Sequence, residues 1–204
     1  MSHSRVRKAE VVSEFRRAQL LEAARESFGQ LGLAGTTVDD IARRAGVAKG
    51  TVYLYFKSKA DILEHAMLVD HTRLRDETVP LITGDGPLVD RLTAFLAAGL
   101  VFVDQNRGFF EHVHFEMGRD MRKRTLQQLE RIFHDQVHAW RTALTRARRR
   151  GEVGRDLSPA AAAQTIVALA SGLAKQRIRG WLPGPVDRIA ATTSATIWRG
   201  LAAR

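Results

Sequence analysis

Apolar residues recur every three or four positions along almost the whole chain, and no stretch sustains the alternation of a half-buried strand. The spacing predicts a first helix over about 13–31, with Leu21, Ala24, Phe28 and Leu31 on one stripe and Gly32 as its stop. Short helices follow from Val38 to Ala45 and from about Ala48 to Phe56. Ser58 can cap a fourth, with Asp61 three residues later, and Pro80 marks the end of that helix. Thr83 to Pro87, "TGDGP", reads as a loop, with Pro87 suited to a first helical turn. Beyond it the period predicts helices from Leu88 to Asp104, from about Gly108 to Met117, and from about Arg119 to Arg150, the last stopped by Gly151. Ser158-Pro159 starts another by a cap followed by proline, and "LPGP" (Leu182 to Pro185) breaks it before a last helix, Val186 to Ala203. The fold class is all-α, with about nine helices and no internal repeat.

Within this pattern, "TTVDDIARRAGVAKGTVYLYF" is two short helices joined by a glycine turn. Thr37 is placed to cap the first, with Asp40 three residues on. Ile41, Ala42 and Ala45 make a small inner face, and Gly46 tolerates the positive φ that the turn needs. This is helix-turn-helix spacing, in which the second helix enters a DNA major groove. At about 100° per residue, Val52 and Phe56 lie within roughly 40° of each other and form the buried side. Gly50, Thr51 and Leu54 fall on the opposite face, Tyr53 and Tyr55 on the flanks, and Lys49 and Lys59 bracket them. Such a face could approach DNA closely, touch a thymine methyl with Leu54 and give phosphate hydrogen bonds from the phenols. The same residues also suit a small three-helix core with half-buried tyrosines and solvated lysines.

Composition narrows the field without deciding it. The chain has 204 residues, is 45% hydrophobic and carries no cysteine, so it can build an ordinary core but no disulfide or thiolate site. The net charge of +10 points to an anionic partner. However, residues 119–155 hold eleven Lys/Arg against four Asp/Glu, a larger excess than the eleven against six in residues 1–60. Charge alone therefore does not locate a DNA site. The longest apolar run, Leu92 to Val103, is short of the about 20 residues that span a bilayer, and the N-terminus has no apolar signal core. A soluble cytoplasmic protein is expected.

Leu20 to Leu63 resembles the DNA-binding domain of the TetR/AcrR (tetracycline-repressor-type) transcriptional regulators nearly position for position. The likeness is carried by Ala-Ala…Phe…Gly, Thr-Thr…Ile-Ala…Ala-Gly-Val, Gly-Thr-Val-Tyr-Leu-Tyr-Phe and the following Lys…Leu. A looser echo covers Arg148 to Ala174 and the terminal "IWRGL". The resemblance implies that Thr37 contacts phosphate at the start of the second helix. It implies that Lys49, Gly50, Thr51, Tyr53, Leu54 and Tyr55 face the groove and its phosphates, and that Lys59 clamps a phosphate. Ala48 departs from a pattern that often has serine there, which removes a helix cap worth about 1 kcal/mol.

By the same resemblance, residues 1–57 form the DNA-binding domain and 58–204 a helical domain for regulation, ligand binding and dimerisation. Candidates for a small-molecule pocket are Phe95, Phe102, Phe109, Phe110, His112, Phe115, Glu116, Phe133 and Trp140, although core packing explains the aromatics equally well. His134 and His138, with Glu130 on the same stripe, have metal-ligand spacing but no proven third ligand, so no metal or cofactor is expected. The basic run Arg141 to Arg150 suits a helix C-terminus. No hydrolase, zinc-protease or phosphate-loop motif is present, so enzyme chemistry is not expected.

The expected function is a homodimeric, ligand-responsive repressor, paired through its last two helices and released from a near-palindromic double-stranded DNA operator by a small-molecule effector. No membrane role is expected. The alternative is a small-molecule-binding protein or enzyme with a vestigial helix-turn-helix.

Overall fold

The computed structural model describes residues 2–113 and 122–202, without the side chains of 2–9 and of Val113. Among these residues there are nine helices and no strand, only an isolated bridge between Val153 and Ala202. The expected helix end at Met117, the start near Arg119, and the candidates Phe115 and Glu116 lie outside the described residues.

The chain divides into two compact units. The first comprises Met1–Val69 and Gly108–Arg122, the second Asp70–Arg107 and Lys123–Arg204.

In the first unit, α1 runs from Ser2 to Gly35, eleven residues earlier than the expected start at residue 13. The extension is rich in good helix formers, and its Val11 and Val12 are exposed, so they mark no buried face. Gly32, at φ 71° and ψ 171°, breaks α1 as expected. Leu31, expected on the core stripe, is 51% exposed. Helix α2 (Val38–Arg44) packs on α1, and α3 (Lys49–Tyr55) packs on α2. Burial falls on Leu20, Leu21, Ala24 and Phe28 of α1, Ile41 and Ala42 of α2, and Val52 and Phe56 at α3.

Helix α4 (Lys59–Thr83) supplies Ile62, Leu63, Ala66 and Met67 to this burial. Pro80 lies inside α4 and does not end it, correcting the sequence expectation. A proline so close to a helix end removes one N–H bond and leaves the last turn closed by Gly84 N donating to Pro80 O at 2.9 Å. Helix α6 (Arg107–Val113) meets α1 through glycines: a Cβ on Gly108 would lie 3.1 Å from Gly29 O, and Phe109 stacks 6.4 Å from Phe28. Arg122 then bonds Glu64 at 2.6 Å and also reaches Asp61. Gly108 and Phe109 thus meet α1, and Arg122 meets α4.

In the second unit, α7 (Lys123–Arg149) packs on α8 (Pro159–Ile178), and α5 (Leu88–Gln105) packs on both α8 and α9 (Val186–Leu201). Trp140, wholly buried, meets Phe95 edge-on at 5.5 Å, surrounded by Leu92, Leu96, Leu144 and Ile166. Alanines at 139, 143, 162, 163 and 190 keep the helices close. Ser158 caps α8 as expected, but α8 ends at Ile178, ahead of the proline-rich loop. Gly180, at φ 71°, closes it, with Trp181 N donating to Gln176 O at 2.9 Å in a Schellman arrangement. Of the apolar positions on the last two helices, Ile166 belongs to the core, and Leu173, Ile197 and Leu201 lean on it. Leu169 stays outside, 43% exposed.

Candidate nucleic-acid interface

Local chemistry builds the helix-turn-helix. Thr37 and Asp40 form a complete capping box: Asp40 N donates to Thr37 Oγ1 at 3.2 Å, and Thr37 N donates to Asp40 Oδ2 at 2.9 Å. The Thr37 hydroxyl also donates to Asp40 at 2.6 Å. That hydroxyl, then the Thr37 amide, with Arg43 adding its charge, hold the Asp40 carboxyl below the usual range against the opposing effect of burial. The turn is made at Gly46 (φ 66°), where a residue with a Cβ is strained, and Val47 N donates back to Ala42 O at 3.0 Å. Gln19 of α1 donates to Ala45 O at 3.2 Å, tying that turn to α1.

Ala48, at the N-cap of α3, gives that helix no side-chain cap. Its two sides separate as the helical period requires. Val52 and Phe56 are buried, whereas Leu54 is 81% and Tyr53 50% exposed. Gly50 is exposed too, with open space where a Cβ would stand. Thr51 and Tyr55 sit half-buried on the borders. Phe56 is held from both sides, by the Arg17 guanidinium 4.7 Å from its ring centre and by the edge of His65 at 5.5 Å. Arg17 also donates to Tyr55 O at 3.4 Å.

The lysines have partners that spacing alone did not reveal. Lys49 Nζ donates to Asp39 Oδ2 at 2.7 Å, and that bond, reinforced by the Asp39 charge, raises its pKa. Lys59 Nζ donates to Leu33 O at 2.6 Å and to Thr36 O at 2.7 Å, so two of its three N–H groups close the carbonyl end of α1. On α2, Arg44 pairs with Glu26 at 2.9 Å and Arg43 with Asp40. The segment after α3 is fixed by Asp61, whose carboxylate accepts the Lys57 amide at 2.7 Å. Burial pushes the Asp61 carboxyl up, but the Lys57 amide, Arg122 and His65 together outweigh it and leave it lowered.

The candidate pocket residues divide between the units. Phe109, Phe110 and His112 belong to the first, where Arg25 also lies over the Phe109 ring at 5.7 Å. Phe95, Phe102, Phe133 and Trp140 belong to the second; the first two and Trp140 are buried, while Phe133 is exposed against His71 at 5.7 Å. None of these lines the open groove of about 520 Å³ between α4 and α7, which is formed by Val79, Pro80 and Ala139 with Arg75, Asp76, Asp135 and His138 at its polar positions. His134, His138 and Glu130 are all exposed, and no group of three potential metal ligands occurs among the described residues. No described helix is long and apolar enough to cross a membrane.

Residues 20–66, which span α2, α3 and their supports, match the family model of bacterial regulatory proteins, tetR family. Over 195 residues the chain is 31% identical to the HTH-type transcriptional regulator TtgR of Pseudomonas putida, covering 89% of this chain and 88% of that protein. Two solved structures share the fold. The transcriptional regulator FadR from Bacillus subtilis, in complex with stearoyl-CoA, superposes with a TM-score of 0.74 at 21% identity, over 90% of this chain and 98% of that one. A TetR/AcrR-family regulator from Thermobifida fusca gives 0.72 at 22% identity, over 91% and 97%. A glycine-turned pair of capped helices, an outward Tyr-Leu pair and a likeness that runs almost end to end lead to one conclusion: the chain belongs to the tetR family of bacterial regulatory proteins and is a DNA-binding transcriptional regulator.

Proposed function

We propose that this regulator is a cytoplasmic, ligand-responsive repressor that works as a homodimer, with its two α3 helices set into successive major grooves of a near-palindromic operator. The observation that carries the DNA-facing assignment is the division of α3, with Val52 and Phe56 buried and Gly50, Tyr53 and Leu54 turned outward. A core helix would not leave Leu54 exposed. Gly50 admits the groove wall, Leu54 reaches a base edge, and Thr37, Lys49, Thr51, Tyr53, Tyr55 and Lys59 reach phosphates and flanking edges. Lys59 does so with its one remaining N–H, as it also closes α1. By role, residues 1–57 read DNA and residues 58–204 regulate and dimerise.

Dimerisation is assigned to the outer stripes of α8 and α9. Ala161, Thr165, Ala168 and Leu169 on one, and Ala191, Thr192, Ala195 and Thr196 on the other, are exposed, small or uncharged, and suited to close helix packing against a second copy. The effector site is assigned to the second unit, which holds Phe95, Phe102, Phe133 and Trp140 and the α4–α7 groove. An effector that prefers the conformation with misplaced reading helices shifts the population and releases DNA.

The test is selection of bound duplexes from a random pool, followed by titration of the winner at several salt concentrations. Sequence-selective binding with a steep salt slope is expected. Tyr53→Ala should weaken it while leaving the dimer intact by sedimentation. Unchanged affinity in that variant removes the face assignment, and no selective binding by the parent favours the small-molecule-binding alternative.

A further inference from the structure

The cations of the reading helices carry their own counter-ions, and one pair joins the two helices directly. Lys49 is the first residue of α3 and Asp39 lies in the first turn of α2; their charged atoms are 2.7 Å apart, and both side chains are about half exposed, at 50% and 59%. Lys49 belongs to the face assigned to DNA above, and the present inference rests on that assignment. A phosphate approaching Lys49 finds a carboxylate already in place.

We infer that Asp39 is an affinity-setting residue of the DNA interface: it competes with DNA phosphate for Lys49, so that Lys49 engages DNA only by exchanging one anion for another. Several features make it a competitor and not a fixed strut. The pair is solvent-exposed, and exposed pairs are weak and salt-screened, so phosphate can displace the carboxylate. No turn of backbone depends on it, because the cap of α2 is made by Thr37 and Asp40, not by Asp39. Nor does α3 rely on it for its seat, which is made by Val52 and Phe56. After exchange, the Asp39 carboxylate remains beside the phosphate and retains a cation there, which offsets the counter-ion that Lys49 displaces. Because a phosphate carries no sequence, the effect is uniform over sequences, unlike that of Leu54 or Thr51.

The test compares the parent, Asp39→Asn, Lys49→Met and the double variant, all as full-length protein. Each is titrated against the selected duplex and a shuffled duplex of equal length, at several salt concentrations. Asn keeps the shape and removes the charge. The expected result is tighter binding by Asp39→Asn to both duplexes, by up to about eightfold at about 0.1 M salt, the value of one slope increment of about 0.9. The salt slope should steepen by up to about one, and the ratio between the duplexes should hold. In the Lys49→Met background the same substitution should change affinity by less than about twofold, the signature of competition for that lysine. An equal gain in both backgrounds would show general repulsion of DNA and overturn the inference; so would no gain, or a loss, with Lys49 present. Thermal midpoints should move by less than about 3 °C, which separates the effect from unfolding. If the parent prefers no sequence, the repressor reading fails, while the shuffled-duplex arm still decides the role of Asp39.

Discussion

Helices α3 and α8 both bury one side and show the other to solvent, yet their outer faces are built differently. The face of α3 presents a phenol and a leucine beside a bare glycine, with paired cations around it. That of α8 presents Ala161, Thr165, Ala168 and Leu169, with no charge until its last turn. The first is chemically mixed and suits a polyanion with readable edges. The second is smooth and nearly uncharged, and suits another helix. Exposure alone distinguishes neither; the kind of residue exposed does.

The largest expected effect breaks the inner half of this comparison. Phe56→Ala removes the ring held between Arg17 and His65 and should cost about 3–5 kcal/mol, read as a lower denaturation midpoint. Leu54→Ala, two residues away but exposed, should stay within about 0.5 kcal/mol of the parent while weakening operator binding. Equal losses of stability would mean that α3 has no free face.

Next in size, Leu169→Glu places like charges across the proposed dimer seam, a juxtaposition that costs several kcal/mol of association. Sedimentation should show folded monomers with weakened DNA binding, and an unchanged dimer would move the interface elsewhere. Gly46→Ala forces an alanine to positive φ and should cost about 1–2 kcal/mol, seen in the thermal midpoint. In the opposite direction, Ala48→Ser supplies the missing cap of α3 and should stabilise by about 1 kcal/mol.

The smallest effect is one of pH. The Asp61 carboxyl is lowered in the folded chain, so its contribution is present above the ordinary carboxylate value near 3.8 and is lost as pH falls through the lowered folded value. The acid limb of a stability profile should therefore be shallower in Asp61→Asn than in the parent.

Much of the fold was legible because the local signals agreed. The cap at Thr37, the turn at Gly46, the break at Gly32 and the Ser158-Pro159 start all act within a few residues of themselves. Pro80 misled because proline's cost depends on how many helical bonds remain beyond it, and near the end of α4 few do. The early start of α1 was hidden for the opposite reason: Val11 and Val12 are exposed there, and exposed apolar positions mark no buried face. The outward turn of Gly50 and Leu54 followed from angle alone once Val52 and Phe56 were taken as the inner side, whereas Tyr53, expected on a flank, is exposed and Thr51, expected opposite, is half-buried.

What the sequence determined by itself was the all-α class, the helix-turn-helix and the faces of its second helix, since these depend on period, caps and glycine, all short-range. What only the tertiary structure decided was partnership. Lys59 closes α1 across 23 and 26 residues, Lys49 answers to Asp39 across ten, and Arg122 reaches back 58 residues to Glu64. Such bonds join elements whose approach is set by packed apolar surfaces and by glycines at 29 and 108, and no periodicity along one stretch of sequence encodes where two helices will meet.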